Sequence, residues 1–342
     1  MNGYERIKKE LAGENQGYRP VMMHNFQQCI KERGITFGQF RDDPALAAET
    51  FIRNAEKYDL DAVLIDFDTA TLAGACGCLA AYPEDKAAVT IQPALTDGFN
   101  DMEKLAAVNI ESSIHVQNWL ETSRIVSDYF GNSKYIRCNC DQAAFSLASM
   151  LYGSEQLMEE LMDEDVEEDV HRLIELSENV TKQFIRLAAQ TGAHCVSNGD
   201  SVAGPAMISP EMYRRFAWAS EQRIAEEAHR CGVDYGLHIC GDATKILEDI
   251  KKLDLDIMEL DYKTDTVKAA SIFGKKITVS GTLDPSDVLL LGSEEKIRQK
   301  TIGLLDDFRD TGKLIVCSGC AVSPDTPESH IRTVIDTVRD YR

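Results

Sequence analysis

Short apolar, β-branched runs alternate along this chain with longer stretches in which apolar residues recur at helical spacing. The runs are 20–24 (PVMMH), 61–67 (DAVLIDF), 87–91 (AAVTI), 135–140 (YIRCNC), 194–198 (HCVSN), 235–240 (YGLHIC), 256–261 (DIMELD), 276–281 (KITVSG) and 314–319 (LIVCSG). The helical stretches are 44–58, 101–107, 114–129, 154–162, 166–190, 210–231, 242–252, 294–310 and 326–340. Strand followed by helix, repeated, predicts an α/β fold with a parallel sheet. There is one run more than the eight of a closed (β/α)8 barrel, so the expectation is a TIM barrel with one accessory strand. An open doubly wound sheet is the alternative. Its nucleotide-binding versions lack support, because neither G-x-G-x-x-G nor G-x-x-x-x-G-K-[ST] occurs. No low-complexity linker or repeat breaks the chain. Residues 1–342 are expected to form a single TIM-barrel domain with an N-terminal helical extension over about 1–18.

A chain of 342 residues is long enough for a large core. Its formal charge of −21 repels phosphate backbones and anionic lipid, which argues against nucleic acid and membranes as partners. No apolar run reaches the ~18 residues of a spanning helix, and the first residues hold no apolar signal core; the expected location is cytoplasmic. The 10 cysteines are then expected as reduced thiols rather than disulfides. Several stand in C-x-C or C-x-x-C spacing, which points to metal binding or redox chemistry, although free cysteine is also a common buried apolar residue.

Active sites of barrels lie at the C-terminal ends of the strands. His24 ends the first run, and later runs end in Asp66 and Asp68, Cys138 and Cys140, Asn198 and Asp200, His238 and Cys240, Glu259 and Asp261, and Cys317 and Cys320. Residues i and i+2 of a strand share a face, so His238 and Cys240 can chelate one ion. The stretch 316–327 offers a third ligand, either Cys317, within the apolar strand, or Cys320, which follows Ser-Gly at the loop. One imidazole and two thiolates suit Zn2+, and three protein ligands leave the open position of a catalytic site. The structural alternative is an ordinary buried pair. A fourth protein ligand would instead give a closed, non-catalytic zinc-binding barrel. Asp261 and Asp200 are the candidate catalytic carboxylates, as general acid or as support for His238, against a plain capping role. His24, Asp66, Asp68 and Asn198 are candidates for contacting substrate.

The segments HICGDATKILEDI (238–250), LDPSDVLLLGSEEKI (283–297) and VCSGCAVSPDTPESHI (316–331) resemble the uroporphyrinogen decarboxylase superfamily, and within it the zinc-dependent corrinoid methyltransferase branch. Stretches 40–63, 145–161 and 198–216 follow the same rhythm. The resemblance implies a (β/α)8 barrel with zinc on the H-x-C pair and the cysteine of S-G-C, here His238, Cys240 and Cys320. It implies methyl transfer between a small-molecule carrier (methyl ether, methylamine or thiol) and a corrinoid. The chain holds no D-x-H-x-x-G, the lower-ligand signature of corrinoid carriers, so the corrinoid is expected on a partner protein. The metal-free decarboxylase is the alternative. It relies on an arginine-rich N-terminal segment; here 19–34 places Met22, Met23, His24 and Asn25 between Arg19 and Arg33. A further departure is GTLDP (281–285), with Thr282 where the family carries asparagine.

Overall fold

A computed structural model of the protein describes residues 1–14, 17–310 and 312–341. Seven parallel strands pair in the order β1 (Ala62–Ile65), β4 (Tyr135–Gln142), β5 (Cys195–Gly199), β6 (Asp234–Ile239), β7 (Ile257–Leu260), β8 (Thr278–Leu283) and β9 (Lys313–Ser318). The eighth stave is residues 20–22. Val21 forms a parallel bridge with Val316, Val316 N donates to Pro20 O at 2.8 Å, and Asp61 N donates to Val21 O at 3.0 Å. This run was expected as a full strand. Pro20 has no N–H to give to a ladder, so the pairing stays a single bridge, yet the sheet curls into the anticipated barrel. The accessory run is 87–91: Val89–Gln92 (β3) pairs antiparallel with Leu79–Ala81 (β2) in a separate two-stranded hairpin.

The expected long helices are present as Pro44–Lys57, Ile114–Phe130, Glu167–Ala189, Trp218–Arg230, Glu294–Asp307 and Glu328–Asp340. Stretch 101–107 is a 3-10 segment, and 242–252 shrinks to short turns up to Ile250. The helix Ala144–Tyr152 was not anticipated. It is buried on nearly every side and so carries no polar stripe to mark its period. Among the described residues no helix is long and apolar enough to cross a membrane.

The N-terminal extension is the helix Gly3–Leu11, started by a capping box between Asn2 and Glu5. Residues 15 and 16 of the expected 1–18 segment lie outside the described residues. The helix lies across the N-terminal mouth of the barrel. Ile7, fully buried, packs with Met22, Leu64, Tyr135, Ile257, Ile315 and Cys317 into an apolar plug. Arg6 Nε reaches Asp61 Oδ1 at 3.0 Å before β1, Lys8 Nζ reaches Asp234 Oδ2 at 2.7 Å at the start of β6, and Glu10 accepts from Leu314 N at 2.8 Å in β9. A Cβ on Gly3 would stand 2.3 Å from Asp61 O, so only glycine lets the helix approach this closely.

Asp61 is the staple of this closure, since its second oxygen accepts from Val21 N at 2.9 Å. Replacing it by alanine strands the buried Arg6 charge and loosens the bridging stave. We expect Asp61→Ala to lower the free energy of unfolding by about 3–5 kcal/mol, read from urea midpoints at unchanged m-value.

Candidate metal centre

Two barrel elements, the end of β6 and the loop after β9, bring His238, Cys240 and Cys320 together, with one potential ligand atom from each lying within 4.8 Å of the others. His238 and Cys240 finish β6 on one face, and His238 Nε2 lies 3.0 Å from Cys240 Sγ. After Cys240 the chain turns at Gly241 (φ +82), in the left-handed region that favours glycine, and Gly241 N donates to Asp261 Oδ2 at 2.9 Å. Cys320 comes from the loop after β9. Gly319 carries that loop against the end of β7: a Cβ there would stand 2.5 Å from Tyr262 N, and Gly319 N donates to Leu283 O at 2.8 Å. The Ser-Gly-Cys spelling is thus a packing requirement, because only a residue without a side chain delivers Cys320 to β6. Cys317, the other candidate, is buried in the apolar plug and pushed up to about 12 by burial. Of the two, Cys320 is the one that stands with His238 and Cys240.

The donor set fits a zinc ion. His238 Nδ1 faces the Glu259 carbonyl oxygen at 3.1 Å, which makes it the protonated nitrogen and leaves the Nε2 lone pair toward the sulfurs. Hydrogen bonding to Cys320 holds the Cys240 thiol below its usual range, while that same bond and burial raise Cys320 to about 12. A cation between the two sulfurs would take the place of that hydrogen bond. One imidazole and two sulfurs at a strand-end mouth match a three-ligand zinc site with an open side.

Beneath the trio lies a layer of paired charges. Arg137 Nη1 donates to Glu259 Oε2 at 2.6 Å, with side chains 2% and 1% exposed, and Arg137 Nε donates to Ser197 Oγ at 2.8 Å. Glu259 Oε1 lies 3.2 Å from His24 Nδ1, and His24 Nε2 lies 2.6 Å from Asp66 Oδ2. Asp66 Oδ1 accepts from Asn139 Nδ2 at 3.0 Å. Burial alone would lower the His24 pKa; its hydrogen bonds to Asp66 and Glu259 overcome this and raise it to about 10, so the ring is a cation at neutral pH. Glu259 is driven the other way. Burial opposes its ionisation, but Arg137 and His24 hold it well below the carboxylate range.

His24, Asp66, Asp68, His238, Cys240 and Cys320 all line one cavity of about 190 Å3. Three expected residues do not line it. Asp200 is fully buried, with Oδ1 accepting from Ser146 N at 2.7 Å in the first turn of Ala144–Tyr152 and its own N–H donating to His238 O at 2.7 Å. Asp261 turns its oxygens to Gly241 N and Lys263 N, ordering the loops behind Cys240. Asn198 Nδ2 donates to Cys140 O at 2.7 Å and so braces β4 from β5. Their side chains satisfy backbone groups rather than face the cavity. Conversely, Arg137, Asn139, Asp141 and Glu259 line it and were not singled out as site residues. The signal was in YIRCNC: with Cys138 and Cys140 packed outward, Arg137 and Asn139 face the barrel interior, and a buried arginine requires a carboxylate.

The family model described as Uroporphyrinogen decarboxylase (URO-D) matches residues 3–341. Methylcobamide:CoM methyltransferase MtbA of Methanosarcina acetivorans is 23% identical over 282 residues, covering 82% of this chain and 80% of the relative. Uroporphyrinogen decarboxylase of Bordetella petrii is 24% identical over 330 residues, covering 92% and 87%. A solved structure, a methyltransferase from Methanosarcina mazei, has a TM-score of 0.88 and 18% identity, covering 100% of this chain and 99% of that one. At that identity the likeness establishes the barrel fold.

The His24 cation gives a pH signature. Its folded value of about 10 exceeds the ordinary 6.5, so its stabilisation is complete below pH 6.5 and is lost as pH rises through 10. Unfolding free energy should therefore fall across pH 6.5 to 10 in the wild type, and this component of the slope should vanish in His24→Gln. Equal slopes in denaturant titrations of the two proteins would contradict the assignment.

Proposed function

The chain belongs to the uroporphyrinogen decarboxylase (URO-D) family, and within it we propose a zinc-dependent methyltransferase that moves a methyl group between a small molecule and the corrinoid of a partner protein. The observation that carries this reading is the His238–Cys240–Cys320 set, whose side chains line the cavity at the C-terminal mouth of the barrel. A zinc ion bound there would supply Lewis acidity, keeping a thiol ionised at neutral pH or stabilising a departing oxygen. Two sulfur ligands offset the charge of the ion and favour alkyl transfer over hydrolysis. Relatives named for methyl transfer and for decarboxylation are equally distant in sequence, so the choice rests on the site.

The chain's own residues supply orientation and proton control. The Glu259 carbonyl fixes the His238 tautomer. Asp66 and Glu259 hold both ring nitrogens of His24, so the imidazolium is a fixed positive charge beside the cavity that can stabilise negative charge developing on the reactant. Phe26, Leu64 and Ala321 line the same cavity and exclude water from part of it.

A decarboxylase acting on a polycarboxylate macrocycle fits this cavity poorly. Among the described residues Arg137 is the one arginine that lines it and is committed to Glu259, and about 190 Å3 is the room of a small molecule. A closed, non-catalytic zinc site is also disfavoured, because Cys317 packs in the plug rather than beside the trio.

The test begins with metal content. Wild type should carry about one zinc per chain, and Cys240→Ala and Cys320→Ala should each lose it. The loaded protein, given methylcobalamin and a panel of small thiols, should demethylate the corrinoid, followed by its visible spectrum, and both variants should lose at least ~100-fold in rate. Wild type freshly purified without chelators and free of zinc would remove the reading.

A further inference from the structure

The cavity beside the trio carries more acid than the mechanism uses. Asp66 and Glu259 are balanced by His24 and Arg137, whereas Asp68 and Asp141 face the same space and, among the described residues, no lysine or second arginine lines it. Asp68 is spent on the helix Thr71–Ala75: Oδ1 accepts from Ala70 N and Thr71 N at 2.8 Å each, and Oδ2 from Thr71 Oγ1 at 3.0 Å. Asp141 differs. Its Oδ2 accepts from Leu72 N at 2.7 Å, but its Oδ1 is buried with no hydrogen-bond partner. The residue is 1% exposed. A buried carboxylate oxygen without a donor is costly and calls for a reason.

The backbone has been shaped to aim this side chain. The β4–β5 register shifts between Asn139 and Gln142, and Asp141 sits in the bulge at φ 59, a left-handed conformation that few non-glycine residues adopt. The bulge breaks the strict alternation of β4, so that Asp141 and Gln142 both line the cavity. Asn198 locks the bulge from β5 by donating to Cys140 O. Strained backbone held beside a cavity is characteristic of ligand clamps. Burial first, and then the neighbouring Asp68 charge, push the Asp141 carboxyl well above the usual carboxylate range, and burial raises Asp68 too. A cation beside the pair would offset this crowding of negative charge.

We infer that Asp141 and Asp68 form a subsite for the cationic end of the small reactant: a compact molecule with a protonated amine, whose other end presents the methyl-exchanging atom to the His238–Cys240–Cys320 trio. An ammonium N–H supplies the bond that Asp141 Oδ1 lacks and a charge that offsets Asp68. The cavity, about 190 Å3, takes the volume of about six waters, which suits an amino-thiol or a small methylated amine. The identity of the reacting end rests on the methyl-transfer reading; the cation subsite does not.

The test titrates the zinc-loaded protein by calorimetry with three thiols of similar size: cysteamine (cationic), 2-mercaptoethanol (neutral) and mercaptoacetate (anionic). Cysteamine should bind about tenfold or more tighter than 2-mercaptoethanol, and in Asp141→Asn the two should come within about twofold. Asparagine tolerates the left-handed backbone and can still accept from Leu72 N, so this variant should fold. Asp68→Asn, which keeps acceptors for Ala70 and Thr71, should weaken cysteamine alone. Cysteamine binding no tighter than 2-mercaptoethanol, mercaptoacetate binding tightest, or a preference unchanged in both variants would overturn the subsite. The methyl-transfer reading has its own readout. If these thiols leave the absorption of cobalt-substituted protein unchanged, sulfur does not reach the metal and the thiol form of that reading fails, whatever the charge preference.

Discussion

The ion pair between Arg137 and Glu259 is the constraint on which the mouth of this barrel depends. Two charges with side chains 2% and 1% exposed can persist there only because they meet at 2.6 Å and spend their remaining hydrogen-bonding capacity on fixed neighbours. Glu259 then does three things. Its carboxylate faces Arg137 and His24, and its backbone oxygen sets the tautomer of His238. The retained proton on His24, the orientation of His238 and the ordering of Asp66 all hang from one buried residue. Removing either partner would leave a charge in an apolar interior, a cost of about 3–5 kcal/mol, and would disorder the site by the same act.

The interior is layered along the barrel axis. At the N-terminal end Ile7, Met22, Tyr135, Ile315 and Cys317 form a dry plug. Arg137, Ser197 and Glu259 make a polar layer above it, and the sulfur–imidazole trio stands at the top. The low dielectric of the plug strengthens the charge pairing above it, and that pairing gives His238 a rigid support. Glycines set the spacing: Gly3 seats the plug helix, while Gly241 and Gly319 bring the two cysteine-bearing turns together.

The alternation of strand and helix was legible because most staves are apolar runs of ordinary length. The first stave was legible only in position, since Pro20 reduced its pairing to one bridge. The H-x-C pair could be read from strand geometry, because residues two apart share a face. The sequence could not assign the work of the acidic strand ends. Asp200, Asp261 and Asn198 stand where chemistry was expected, yet each is turned to a backbone group that some residue had to satisfy. Glu259 lies two residues before Asp261, one layer deeper on the same face, and its importance depends on an arginine more than a hundred positions away. Asp141 was hidden for another reason: it follows Arg137 and Asn139 on the inner face, but no residue pattern announced the bulge that brings Gln142 beside it at the cavity.

The plug has a consequence for traffic. A barrel stoppered at one end is a blind vessel, and whatever reacts at its floor must come and go by the same door. If a second macromolecule sits on that door during the reaction, the small reactant has to be inside before the large one arrives, and its product stays trapped until the large one leaves. Order of binding is then imposed by the helix Gly3–Leu11, which lies at the far end of the molecule from the chemistry.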